Sequence, residues 1–214
     1  MLDRAERLAS AETPRGELVL RRRGEALEFI SNGTFLMDTS NGESERAMAT
    51  LALTGRAGAA HVLVAGLGFG FTLATTLTFD VAEVVLVELE ADVVGWNEQW
   101  WPLGRDALRD ERVNLVIDDF ASFIERTDRS FDAVLVDIDN GPDWTVAPPN
   151  DVVYDDLLGQ LRRIVRQPDG RLCVWSAAAS ETFEHRLGRH FPRVTTHAVA
   201  VPRGEPDVVF LATG

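Results

Sequence analysis

The chain has 214 residues, 45% of them apolar, which is enough for an ordinary domain with a buried core and excludes a disordered or fibrous protein. Its 34 Asp and Glu against 21 Lys and Arg give a formal net charge of −13, a surface that repels phosphate backbones and anionic lipid and so speaks against nucleic acid or a membrane as partner. One cysteine, Cys173, excludes an intrachain disulfide and multi-cysteine zinc patterns, and the four histidines contain no pair four apart, so no metal is assigned.

In chain order, residues 3 to 11 read as a short helix before Pro14. Three strand-like runs follow, Glu17 to Arg23, Ala26 to Ser31 and Thr34 to Asp38. Asn32-Gly33 accepts the positive φ of a two-residue hairpin turn, so these runs predict a small antiparallel β-meander. Ser40-Asn-Gly-Glu43 has capping-box spacing and predicts a helix over Ser44 to Leu53, ended at Gly55. This divides the chain into an N-terminal meander with its linking helix, 1–55, and a main domain, 56–214.

From His61 the pattern alternates. Val62 to Ala65 is a strand, followed by a glycine turn and a helix to about Leu77; Glu83 to Glu88 is a strand, followed by a helix from about Ala91 to Trp101. Val113 to Ile117 and Ala133 to Val136 are the next strands, then a helix over Val152 to Arg166, a strand over Arg171 to Trp175 and a helix over Glu181 to His190. Arg193 to Val201 and Asp207 to Ala212 close the chain as an antiparallel addition. Repeated βα units predict the α/β class, a doubly wound, mostly parallel sheet covered by helices on both faces. Ala57 to Phe79 is almost free of charge, but its four glycines and four threonines make it strand, turn and helix rather than a membrane span. Met1-Leu-Asp-Arg-Ala-Glu-Arg lacks an apolar signal region, which predicts a cytoplasmic protein.

In such sheets ligands bind at the carboxyl ends of the strands. The first of these strands ends in Gly66-Leu-Gly-Phe-Gly70, where missing Cβ atoms let backbone approach a nucleotide. The second ends in Glu88, about twenty residues after Gly68, a spacing at which a carboxylate accepts from both ribose hydroxyls. The third ends in Asp118-Asp119 and the fourth in Asp137-Ile-Asp139-Asn140. Residue 71 is Phe, so the dinucleotide spacing G-x-G-x-x-G is not met, which disfavours NAD or FAD.

Val87-Glu-Leu-Glu90, Val113-Asn-Leu-Val-Ile-Asp-Asp119 and Phe131-Asp-Ala-Val-Leu-Val-Asp137 carry a resemblance. With them, from about residue 61 to 176, the chain resembles the spermidine synthase (polyamine aminopropyltransferase) family, a branch of the adenosylmethionine-dependent methyltransferase fold. The resemblance implies that Gly66, Gly68, Gly70, Glu88 and the Asp118-Asp119 pair hold the donor, Glu88 on its ribose and Asp119 on the adenine amino group. It implies Asp137 as catalytic base, decarboxylated S-adenosylmethionine as donor, a homodimer and a small N-terminal β domain. Three departures accompany it. Phe69 stands where the family carries an acid near the donor's amino group; the family's D-S-S-D reads Asp137-Ile-Asp-Asn140, moving the second acid to Asp139; and of the family's Y-H-E segment only Glu45 remains.

An aliphatic amine is mostly protonated at neutral pH, so a carboxylate within reach must take its proton before it attacks a sulfonium. Asp137 is the candidate, with Asp139 the alternative. Asp139, Asn140, Asp143, Trp144 and Tyr154 are the candidate contacts to a small cationic amine. Trp96 and Trp100, four apart on one helix, are expected to pack, and Cys173 to lie in the core. Three functions stay open: aminopropyl transfer to a putrescine-like amine, methyl transfer from intact S-adenosylmethionine to a small amine, and non-catalytic nucleoside binding.

Overall fold

The computed structural model describes residues 5–138, 150–202 and 204–214, with the backbone alone described at 150–156. The chain opens with four strands, β1 (Glu6–Thr13), β2 (Gly16–Arg23), β3 (Ala26–Ser31) and β4 (Thr34–Asp38), paired antiparallel in sequence order. The last three are the predicted meander. The helix expected over residues 3 to 11 is instead β1: Ala11 pairs with Leu18 and Ala9 with Leu20 across a hairpin, and the backbone bonds gained along a waiting edge outweigh a local preference for helix. Helix α1 (Glu43–Leu53) follows, but its N-cap is Gly42 without a side-chain bond. The capping box fails because Ser40 bonds back to Asp38. Gly42 has a packing reason, since a Cβ there would lie 2.5 Å from the Phe71 ring.

The main sheet has the order β10-β11-β9-β8-β5-β6-β7, from β5 (Ala60–Ala65), β6 (Val81–Glu88), β7 (Val113–Ile117), β8 (Ala133–Val136), β9 (Arg171–Ser176), β10 (Arg193–Val199) and β11 (Asp207–Thr213). β5 to β9 run parallel, and β11 and β10 are added antiparallel. The helices between them are α2 (Phe71–Thr76), α3 (Ala91–Trp100), α4 (Pro102–Leu108), α5 (Phe120–Arg126), α6 (Asn150–Ile164) and α7 (Glu181–Gly188). The α/β, doubly wound, mostly parallel sheet is therefore as the sequence predicts, while α4 and α5 are short helices that its pattern leaves unmarked.

Strand alternation divides the core into two layers. Val62, Val64, Val84, Leu86, Ala133 and Leu135 face a cluster built with α1 to α4. Leu63, Ala65, Val85, Val87, Val134 and Val136 face the opposite cluster, with Phe120, Ile124, Leu161, Ile164 and Phe183 of α5, α6 and α7. Cys173 is buried in the first, as expected. Leu18, Leu20, Leu27 and Phe29 of the N-terminal sheet join that same first cluster, and Phe29 stacks on Phe69 at 4.1 Å between ring centroids. The N-terminal sheet thereby roofs the end of the main sheet where the glycine turn lies. No helix among the described residues is long and apolar enough to cross a membrane.

Candidate active site

β5 pairs with β6 on one side and β8 on the other, so the connections leave in opposite directions at β5 and open a crevice at the carboxyl ends of these strands. A cavity of about 960 Å³ occupies it. Gly66, Gly68, Glu88, Asp118, Asp119 and Asp137 all line this cavity. The strand-end residues predicted for the donor are thus brought together with Asp137, with one exception among them. Gly70 does not line it; with φ +76 it starts α2, and a Cβ there would lie 3.0 Å from Gly104 Cα.

The glycine turn is shaped by the protein around it. Gly66 has φ +90, and a Cβ would fall 2.0 Å from the carbonyl oxygen of Asp137, so only glycine lets β5 leave beside β8. Asn97 Nδ2 donates to the Gly68 carbonyl at 2.8 Å and Trp101 Nε1 to the Phe69 carbonyl at 2.8 Å, which fixes the outer side of the turn. Trp96 is buried against Phe29, in the packing role expected of it.

Glu88 is buried, and each of its oxygens accepts one backbone N–H: Oε2 from Leu67 and Oε1 from Glu90, both at 2.8 Å. Burial pushes its carboxyl above the usual range, against the pull of those N–H groups. Each carboxylate oxygen has a second lone pair to offer the cavity. Asp119 caps α5, accepting from Ser122 N at 2.9 Å. Asp118 accepts from Asp119 N at 2.9 Å and ion-pairs with Arg126, so its charge is directed to its own loop.

Asp137 follows β8 directly, and its N–H donates to the Ala65 carbonyl at 2.9 Å. Its carboxyl accepts from the Thr72 hydroxyl at 2.7 Å. Burial, and next the charges of Glu45, Asp207 and Glu88, push it up to about 7, despite the Thr72 bond. A carboxyl poised there exchanges a proton at neutral pH, which is what a general base requires.

Asp139, Asn140, Asp143 and Trp144 lie outside the described residues, and Tyr154 is described only as backbone of α6. Two residues that line the cavity, Asp207 and Trp175, and Thr72, which bonds Asp137 from α2, were not assigned from sequence. Asp207 and Trp175 come from β11 and β9, where a strand carboxylate and a tryptophan give no local signal, and Thr72 is one of four threonines on an unremarkable stretch. Glu45, noted only as a remnant, lines the cavity from the first turn of α1.

A profile of the spermine/spermidine synthase domain matches residues 43–202, about three quarters of the chain. The chain belongs to the spermine/spermidine synthase family. Among family relatives, it is 31% identical over 124 residues to a polyamine aminopropyltransferase of Ruegeria, covering 52% of this chain and 44% of that protein. It is 37% identical over 81 residues to one of Shigella boydii, covering 37% of this chain and 28% of that protein. The chain thus matches less than half the length of these curated relatives. In fold it is similar to a spermidine synthase solved with the transition-state analogue AdoDATO, at TM-score 0.83, 16% identity, 98% of this chain and 74% of that one. It is also similar to the spermidine synthase of Thermotoga maritima, at TM-score 0.78 and 16% identity, over 98% of this chain and 73% of that one. The fold is therefore the methyltransferase-like one of spermidine synthases.

Proposed function

We propose that the chain is an aminopropyltransferase, moving the aminopropyl group of decarboxylated S-adenosylmethionine to a cationic, putrescine-like amine. The observation that carries the reading is the Asp137 carboxyl, held by Thr72 and raised to about 7 in the same cavity as Glu88. The polyamine aminopropyltransferase names of its relatives and the AdoDATO bound by a structural neighbour support the donor and acceptor classes.

In this reading Glu88 and Asp119 hold the ribose and the base, and the donor's sulfonium faces Asp137. The acceptor nitrogen attacks the propyl carbon attached to sulfur, the C–N bond forms as the C–S bond breaks, and methylthioadenosine leaves as a neutral thioether. Asp137 takes the proton that the nitrogen must lose. The donor is already activated, so alignment and proton removal are what the protein has to supply. The net charge of −13 favours a cationic acceptor over an anionic one.

A second reading, methyl transfer from intact S-adenosylmethionine, is favoured by Phe69. Its ring is 1% exposed and stacked on Phe29, so that position of the turn offers the donor no carboxylate. Calorimetric titration with decarboxylated S-adenosylmethionine, the intact donor and methylthioadenosine, followed by product analysis with putrescine, decides between them. Tighter binding of the decarboxylated donor and an aminopropylated product are expected. Preference for the intact donor with a methylated product would establish the second reading, and binding without turnover would leave a nucleoside-binding protein.

A further inference from the structure

Helix α3 stops where Pro102 follows, because the residue before a proline is driven out of helical backbone; Trp101 takes φ −124 and ψ 102, and α4 starts at once. Two side chains of this corner reach the glycine turn from outside, Asn97 in the last turn of α3 and Trp101 at the break itself. They hold the carbonyls of successive residues, Gly68 and Phe69. The fit leaves no room for a side chain on α4: a Cβ on Gly104 would lie 1.9 Å from Asn97 Oδ1. Asn97 is 1% exposed and uses both Nδ2 protons, on the Gly68 carbonyl at 2.8 Å and the Val93 carbonyl at 2.9 Å. Its Oδ1 is shielded from solvent and closes no hydrogen bond.

A buried amide with an idle oxygen is costlier than an apolar side chain of the same shape, so packing alone does not account for Asn97. What an apolar side chain lacks is a hold on the Gly68 carbonyl. Peptide units are planar and trans, so each anchored carbonyl also fixes the N–H of the next residue, directed the opposite way. The Gly70 N–H closes the turn on the Leu67 carbonyl at 2.7 Å. The Phe69 N–H, turned away from α3, meets no acceptor among the described residues, nor does that of Gly68, which lines the cavity. Asp137 brackets the same turn: Gly66 abuts its backbone carbonyl, and Thr72 holds its carboxyl at 2.7 Å. The other groups facing that carboxyl are Glu45 of α1, Asp207 of β11 and Glu88 of β6, all acidic, and Glu88 takes the Leu67 N–H of the turn as well.

We propose that Asn97 and Trp101 are positioning residues: from outside the cavity they fix the glycine turn, and with it both the seat of a bound nucleoside and the placement of that seat against Asp137. Neither lines the cavity, so their effect on a ligand passes through the turn. Asn97 sets the peptide plane that presents the Phe69 N–H, and Trp101 sets the next one, which leads into α2 and Thr72. The inference rests on the aminopropyl-transfer reading only for the identity of the donor, since any nucleoside seated on the turn depends on it.

Calorimetry and kinetics on the full chain test it. Trp101→Phe keeps a ring against Phe69 and Phe71 and removes only the N–H, while Asn97→Leu keeps a branched side chain and removes both Nδ2 bonds. Methylthioadenosine affinity, measured well below each variant's melting temperature, should fall roughly threefold to tenfold in Trp101→Phe and roughly tenfold or more in Asn97→Leu. The acid limb of the pH–rate profile should move to higher pH in Asn97→Leu by up to about one unit, as the Thr72 bond to Asp137 loosens. Combined with Thr72→Val, the shift should be smaller than the sum of the two, because both act on one bond. A purely structural role would lower the melting temperature and leave affinity unchanged, and that outcome in Trp101→Phe overturns the proposal even where Asn97→Leu fails to fold. An acid limb that stays in place in Asn97→Leu, or shifts that add in full, overturns the link to Asp137. A wild-type protein that binds methylthioadenosine but transfers nothing would overturn the aminopropyl-transfer reading instead, and the variant affinities would still decide whether Asn97 and Trp101 hold the turn; no binding by the wild type overturns both.

Discussion

Thr72 Oγ1 donates to Asp137 Oδ2 at 2.7 Å, joining the first turn of α2 to the end of β8. The bond stabilises the ionised form of a carboxyl that burial and neighbouring acids push the other way. Removing it in Thr72→Val should move the acid limb of the pH–rate profile to higher pH by about one unit, since a hydrogen bond to a charged group and a pKa unit are of similar size. An acid limb that stays in place, with turnover alone reduced, would mean that Thr72 only positions the carboxyl.

Asp137→Asn keeps the shape and removes the proton acceptor. Turnover should fall by about 10² to 10⁴, the usual contribution of a positioned base, while methylthioadenosine affinity changes little. Steady-state kinetics and calorimetry on the same variant separate the two. A donor affinity that drops as far as the rate would assign Asp137 to the donor pocket.

The same carboxyl makes a stability prediction. A folded value of about 7 lies above the ordinary 3.8, so folding favours the protonated form. The resulting stability is complete below about pH 4 and is lost as pH rises through about 7. Glu45, Glu88 and Asp207 are shifted in the same direction. The ligand-free protein should therefore melt at lower temperature at about pH 8 than at about pH 5, and Asp137→Asn should flatten that slope. Thermal melts across this range check it, and an identical slope in the variant would contradict the raised carboxyl.

Glu88 has two duties, because its oxygens accept from Leu67 N and Glu90 N as well as facing the cavity. Glu88→Ala should weaken methylthioadenosine binding roughly tenfold to a hundredfold. It should also lower the melting temperature, since two backbone N–H groups lose their acceptor. Retained affinity in a destabilised Glu88→Ala protein would leave Glu88 with the structural duty alone.

Asp119 also serves twice, as the cap of α5 and as a cavity carboxylate. Serine caps a helix almost as well as aspartate but brings no charge to an exocyclic amino group. Asp119→Ser should therefore keep stability while lessening discrimination between adenosine and inosine analogues, whereas Asp119→Ala should also lose about 1 kcal/mol. Equal losses of both analogues in the serine variant would mean that Asp119 does not read the base.

The strand-end positions of Gly66, Gly68, Glu88, Asp119 and Asp137 were legible in the sequence because strand alternation and βα spacing are local properties, and a parallel sheet brings its carboxyl ends to one crevice. β1 was not legible, since an edge strand is defined by the partner it pairs with, and residues 6 to 13 alone have helix-forming composition. The double duty of Glu88, the exclusion of Gly70 from the cavity and the burial of Phe69 against Phe29 also depend on the packing of distant elements. Asp207 illustrates the difference most clearly. It is one more acid in an acidic chain until the antiparallel C-terminal strand carries it to Ser44, 163 residues away in sequence, where two carboxyls meet one hydroxyl. Which residues bear charge is a property of the sequence, whereas which charges are brought to face one another depends on distances of a few ångströms that only the folded chain sets.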